Sequence, residues 1–122
     1  MSSIIHRLSR SLPNAASAEP LYDPPYLDLA DRVIAFVGTG RSEDLRVFFT
    51  ALEAAYVGRQ TPQESNALNE GFMESLIYGL ERESLSPVQV YRHLMPKSRT
   101  VWEAAWRYTH GDAWPESFPA SD

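Results

Sequence analysis

Residues 61–83, TPQESNALNEGFMESLIYGLERE, constrain the fold more than any other stretch of this chain. At about 3.6 residues per turn, Leu68, Phe72, Leu76 and Leu80 form a bulky stripe with Met73 and Ile77 on one flank. The other flank carries only small residues, Ala67, Gly71, Ser75 and Gly79. Apolar or small groups thus cover well over half the circumference, which predicts a central helix contacted by several neighbours. Its two glycines each cost roughly 1 kcal/mol relative to alanine in a helix interior, so they predict a groove into which a second helix packs closely. The opposite row carries Glu70, Glu74 and Glu81, with Tyr78 among them. Thr61-Pro62-Gln63-Glu64 has the form of a capping box with proline at the first helical position, which sets the start.

The rest of the chain supplies neighbours for that helix. Residues 1–18 hold Ile4, Ile5, Leu8 and Leu12 on one helical face beside His6, Arg7 and Arg10, with no acid. An organelle-targeting leader has this composition too, but the expectation is a frayed or weakly docked arm. Three prolines in EPLYDPP keep residues 19–25 extended, so 1–25 is an arm and linker. From Tyr26 to Val37 the apolar positions Leu27, Ala30, Val33, Ile34 and Val37 recur at helical spacing until Gly38-Thr39-Gly40 stops them. Ser42 is expected to cap a second helix with Leu45, Phe48, Phe49, Leu52, Ala55 and Tyr56 inside. Beyond the central helix, Pro87 to about Met95 predicts a helix burying Val88, Tyr91 and Leu94. A last helix, from about Ser98 to Tyr108, carries Val101, Trp102, Ala105 and Trp106. The tail, 112–122, has no periodicity, and Trp114 and Phe118 in it are expected to dock on the body.

No stretch alternates long enough for a strand. The fold class is therefore all-α: one compact domain over 26–111 of about five helices, as an antiparallel bundle or a short helical-repeat-like stack. At 122 residues the chain is the size of one domain. Its net charge of -5 makes it a poor generic binder of nucleic acid. The longest purely apolar run, Val33 to Val37, is far below the ~20 residues of a membrane-spanning helix, so no membrane role is expected. Absence of cysteine removes disulfides and thiolate chemistry, and fits a reducing cytoplasm.

Catalytic signatures are lacking. His6, His93 and His110 have no metal-ligand spacing, no serine sits in a G-x-S-x-G elbow, and Gly38-Thr39-Gly40 is not a phosphate-binding loop. No catalytic residue, metal site or cofactor is assigned. The Glu70/Glu74 and Glu81/Glu83 pairs invite an acid/base or metal reading, but with no histidine spaced to join them a solvated helix face is expected. The row of Glu70, Glu74 and Glu81 around Tyr78 reads either as that solvated face or as a surface for a cationic partner. On the second reading the partner-binding residues are Glu70, Glu74, Tyr78 and Glu81.

Two stretches carry a resemblance: Asn66-Ala-Leu-Asn-Glu-Gly-Phe-Met-Glu-Ser-Leu76, and Leu94-Met-Pro-Lys-Ser-Arg-Thr-Val-Trp-Glu-Ala-Ala-Trp106. Across roughly 29–111 the chain resembles a small uncharacterised family of bacterial all-helical proteins that accompany polymorphic toxins and look like immunity proteins. Gly71-Phe72 and the Pro96/Ser98 turn leading into Trp102 and Trp106 are its most specific parts. Met95 stands where the family pattern has glycine, and the arm and tail have no counterpart. The resemblance implies a non-catalytic binding protein that neutralises a cognate toxin in the same cell, and it names no toxin-contacting position. That the toxin surface is basic is the expectation from the acidic row. The alternative is a small helical enzyme or ligand-binding domain with an aromatic and acidic pocket.

Overall fold

The structure is a computed structural model and describes residues 4–12, 21 and 24–111. Tyr22, Asp112, Trp114 and Phe118, and with them the expected docking of the tail, lie outside the described residues.

Residues 4–12 of the N-terminal arm are docked rather than frayed. Ile4–Ser9 forms α1, and Ile4, Ile5, Leu8 and Leu12 are all buried in the common core against the next two helices. Four apolar side chains on one face bury enough area to offset the ordering of a short segment. Arg7 adds a 3.6 Å ion pair to Glu64.

Pro25–Gly38 forms α2, burying Leu29, Ala30, Val33, Ile34, Phe36 and Val37. Leu27, expected inside, is instead 41% exposed, because it shares a helical row with the exposed Asp31 and Ala35. Phe36 takes an inside place, with the Arg41 guanidinium 4.8 Å from its ring centroid. Ser42–Val57 forms α3 around Leu45, Phe48, Phe49 and Leu52. Its N-cap is Arg41 rather than Ser42; the Ser42 hydroxyl instead accepts a hydrogen bond from Arg92 at 3.2 Å.

The central helix, α4, passes through three consecutive segments: Pro62–Asn66 as α-helix, Ala67–Met73 as π-helix and Glu74–Arg82 as α-helix. The capping box is formed, with Glu64 N donating to Thr61 Oγ1 at 3.1 Å and Thr61 N to Glu64 Oε1 at 2.9 Å. The π-segment has a cause in the sequence. In a pure α-helix the four-residue steps of the stripe Leu68, Phe72, Leu76 and Leu80 drift by roughly 40° each. A stretch closed by i→i+5 bonds is wider per turn and rotates the stripe back toward the core. All four residues are buried, together with Met73 and Ile77. Tyr56 of α3 donates its hydroxyl to the Leu68 carbonyl inside this segment at 3.1 Å.

The remaining helices close the core. Val88–Tyr91 forms α5, a single turn that ends short of the expected Met95; it buries Val90 and Tyr91, whereas Val88 is half-buried. Leu94 is buried in the turn that follows. Pro96–His110 forms α6, which begins two residues before the expected Ser98. Glu53 of α3 accounts for the earlier start, since it accepts hydrogen bonds from Lys97 N at 3.0 Å and Ser98 N at 2.8 Å, two otherwise open donors of the first turn. Trp102 is fully buried, its ring 5.9 Å from Trp106 and 6.4 Å from Tyr91. Phe48 meets Phe49 and Phe72 at 5.3 and 5.9 Å.

The small flank of α4 is where α2 packs, as the two glycines predict. A Cβ at Gly71 would lie 2.7 Å from Tyr26 Cγ, and one at Gly79 would lie 2.0 Å from Ile34 Cδ1. The result is a compact all-α domain with no strand among the described residues. Among them, no helix is long and apolar enough to cross a membrane.

Candidate binding site

The π-segment brings the acidic row to the surface between two clefts. One, of about 500 Å³, lies between α4 and α6 and is lined by Asn69, Glu70, Glu74, Thr100, Val101, Ala104, Ala105 and Tyr108. The other, of about 540 Å³, has Tyr26, Glu70, Gly71, Glu74, Ser75 and Tyr78 among its walls. Glu70 and Glu74 border both, so they form a ridge. Tyr78, 52% exposed, stands on one side of it, and Tyr108, 77% exposed, on the other.

Three of the four sequence-predicted residues, Glu70, Glu74 and Tyr78, are thus brought together. Glu81 is not among them: it lines neither cleft and pairs through Oε1 with His110 Nε2. His110 in turn stacks on Trp106 at 4.0 Å, so Glu81 holds the C-terminal ends of α4 and α6 together. Tyr108, Val101 and Ala104 belong to the site and were not predicted for it. Their signal is the surface-facing end of a helix row, and only the fold joins it to carboxylates some thirty residues earlier.

The carboxylates differ in their company. Asp31 pairs with Arg82 at 3.1 Å, Glu43 with Arg46 at 2.9 Å, Asp44 with Arg41 at 2.7 Å and Asp28 with Arg32 at 3.0 Å. Glu64 pairs with Arg7, Glu83 with Arg82, Glu81 with His110 and Glu53 with the α6 amides. Glu103 is engaged as well. Among the carboxylates of the described residues, Glu70 and Glu74 alone have neither an ion-pair nor a hydrogen-bond partner. Partial burial, and then the charge of Glu70, push the Glu74 carboxyl above its ordinary value. Asn69 in the same cleft keeps a buried Oδ1 with no hydrogen-bond partner, while its Nδ2 reaches Ser65 Oγ at 3.4 Å.

Two other titratable groups serve the fold. His93 stacks parallel to Phe49 at 6.1 Å, and burial, followed by the charge of Arg92, lowers its pKa against an opposing pull from Glu43. Burial, and then the charge of Glu53, raise the Tyr56 hydroxyl well above its usual value, so it stays a hydrogen-bond donor to Leu68. Among the described residues no group of three or more histidine or acidic side chains is placed to hold a metal ion.

No protein family, curated protein or solved structure matches this chain.

Proposed function

We propose that this is an immunity-type binding protein, which neutralises a cognate bacterial toxin in the cytoplasm by direct contact and without catalysis. The reading is carried by the unpartnered Glu70 and Glu74 ridge between two clefts. Adjacent like charges on a helix are destabilising, by about 0.2–0.5 kcal/mol for an exposed pair, and a basic surface laid against them would reverse the sign. Tyr78 and Tyr108 flank the ridge with exposed rings, and tyrosine gives contact area at low entropy cost. The toxin as the source of that basic surface comes from the resemblance of the α4 and α6 sequences.

The test is growth rescue. A toxin gene beside this one is expressed with and without the chain, and the complex is measured by calorimetry. Restored growth with a stoichiometric complex is expected; no toxin gene, no rescue, or rescue without a complex overturns the reading. The second reading, a small-ligand site, is favoured by a cleft whose volume falls within the usual range of such pockets, roughly 300–1,000 Å³. A small molecule released from the purified protein on denaturation, and identified by mass spectrometry, would turn the assignment that way.

A further inference from the structure

We infer that the cleft between α4 and α6 is a receptor for one arginine side chain of the partner protein, held by Glu70 and Glu74. This rests on the binding reading above and specifies which chemistry the partner presents. The cleft is graded from apolar to acidic. Val101, Ala104 and Ala105 of α6 offer a surface for a methylene stem, and the two carboxylates stand across from them on α4. Tyr108 at the edge supplies an exposed ring on which a planar cation can stack.

Three observations point to a guanidinium rather than an ammonium. Two carboxylates on one helix, both without a partner, offer more acceptor oxygens than the three donors of a lysine head use, whereas the planar fork of arginine presents five. Asn69 lines the same cleft, and its buried Oδ1 is an acceptor left without a hydrogen-bond partner. Arginine is also the less strongly hydrated cation, and so loses less on entering a half-enclosed site. Seven of the chain's eleven basic residues are engaged elsewhere, Arg7, Arg32, Arg41, Arg46 and Arg82 in ion pairs and Arg92 and Arg99 on Ser42 and the Leu94 carbonyl, and among the described residues no basic side chain pairs with Glu70 or Glu74. Charge complementarity therefore assigns the occupant to another molecule.

The test is an NMR titration of the labelled protein with N-acetyl-arginine amide, its lysine counterpart, and the neutral isostere N-acetyl-citrulline amide. Expected are saturable shifts of the Val101 and Ala105 methyls and the Asn69 side-chain amide with the arginine probe, weaker ones with lysine and none with citrulline. Glu70→Gln/Glu74→Gln should weaken the arginine response by roughly tenfold or more while the spectrum keeps its dispersion. Tyr108→Ala, at an exposed position that cannot threaten folding, should weaken it to a lesser degree. No saturable shift with the arginine probe, equal shifts with citrulline, lysine as tight as arginine, or indifference to the double substitution each overturns the proposal. The two readings fail separately. Saturation of the cleft by the arginine probe without toxin neutralisation removes the function but keeps the site. Neutralisation with no response to the probe keeps the function and removes the site.

Discussion

The ring of Tyr26 lies across Gly71 so closely that a Cβ there would sit 2.7 Å from Cγ, 2.9 Å from Cδ1 and 3.0 Å from Cδ2. Gly79 is approached differently, by the tip of Ile34, with Cδ1 at 2.0 Å and Cγ1 at 3.4 Å. The two sites therefore respond to alanine in different ways. At Gly79, turning the end of Ile34 costs about 0.5–1.5 kcal/mol, close to the roughly 1 kcal/mol that alanine contributes to helix propensity. Gly79→Ala should leave stability within about 1 kcal/mol. No ring rotation relieves Gly71→Ala, because Cγ lies on the rotation axis; the whole ring must swing away, for a net loss of about 1–2 kcal/mol. Urea unfolding of both variants checks this, and a Gly71→Ala protein as stable as wild type would contradict it.

Trp102→Ala and Phe72→Ala should each cost on the order of 3–5 kcal/mol, since both side chains are fully buried and each meets further rings, Phe72 that of Phe48 and Trp102 those of Tyr91 and Trp106. Against a typical domain stability of about 5–15 kcal/mol, either change removes a large share of the total. Thermal melts within a degree or two of wild type would mean that the central stripe is misplaced.

Glu53 gives a pH-dependent contribution whose sign can be worked out. Burial pushes its carboxyl up, but hydrogen bonds from Lys97 N and Ser98 N, with the Ser98 hydroxyl and the Lys97 charge, outweigh this and leave it below the ordinary value. A carboxyl with a lowered folded pKa stabilises the fold above its unfolded value, and that stability is lost as pH falls through the folded one. Glu53→Gln should therefore cost roughly 1 kcal/mol at neutral pH, the scale of a lost helix cap, with a deficit that shrinks in acid. A deficit constant from pH 7 to pH 3 would show that shape rather than charge matters at this position.

Much of this architecture is legible in the sequence, and what is not has identifiable physical reasons. α2, α3, α4 and α6 follow from apolar rows at helical spacing, and the close α2 contact follows from Gly71 and Gly79. The π-segment escapes a reading made at one fixed period, because a row at four-residue spacing looks continuous in either register. Firm docking of α1 is not legible there, because four apolar residues in a basic, serine-rich segment do not reveal whether a surface waits for them; Ile5 and Leu12 are buried. At the site, the ridge residues on α4 were readable as an outward row. Tyr108 and the α6 side of the cleft were not, because they depend on how two helices lie together.

Glu74→Gln should stabilise the protein slightly. Its folded pKa is raised, first by burial and then by Glu70, so the penalty is absent below the ordinary carboxyl range and appears as pH rises through the folded value. Removing one of two adjacent, solvent-screened charges is worth about 0.3 kcal/mol, or roughly 1 °C in Tm at neutral pH, and nothing below about pH 4. A Tm that falls at pH 7 would show that Glu74 makes a favourable contact. A gain in stability from neutralising a surface carboxylate is what a ridge kept for binding would give.

The last expectation separates steering from holding at the ridge. Glu70 and Glu74 are unpaired and border both clefts, so they act on a basic partner before contact, over a distance set by the ionic strength. Reversing both charges, Glu70→Lys/Glu74→Lys, should slow association by about tenfold at low salt and flatten its salt dependence. Tyr78 is 52% exposed and carries no formal charge, so its part is contact area formed after encounter. Tyr78→Ala should leave the association rate nearly unchanged and speed dissociation by roughly tenfold or more, as for an anchoring aromatic. Glu81, engaged with His110, serves as the control: its charge reversal should cost stability at the joint of α4 and α6 and change the association rate less than the ridge does. Stopped-flow association and surface-plasmon dissociation of folded variants measure both constants. Equal association rates for wild type and the double reversal would move the interface off this ridge, whereas a Tyr78→Ala effect confined to association would make the ring part of the steering field rather than the anchor.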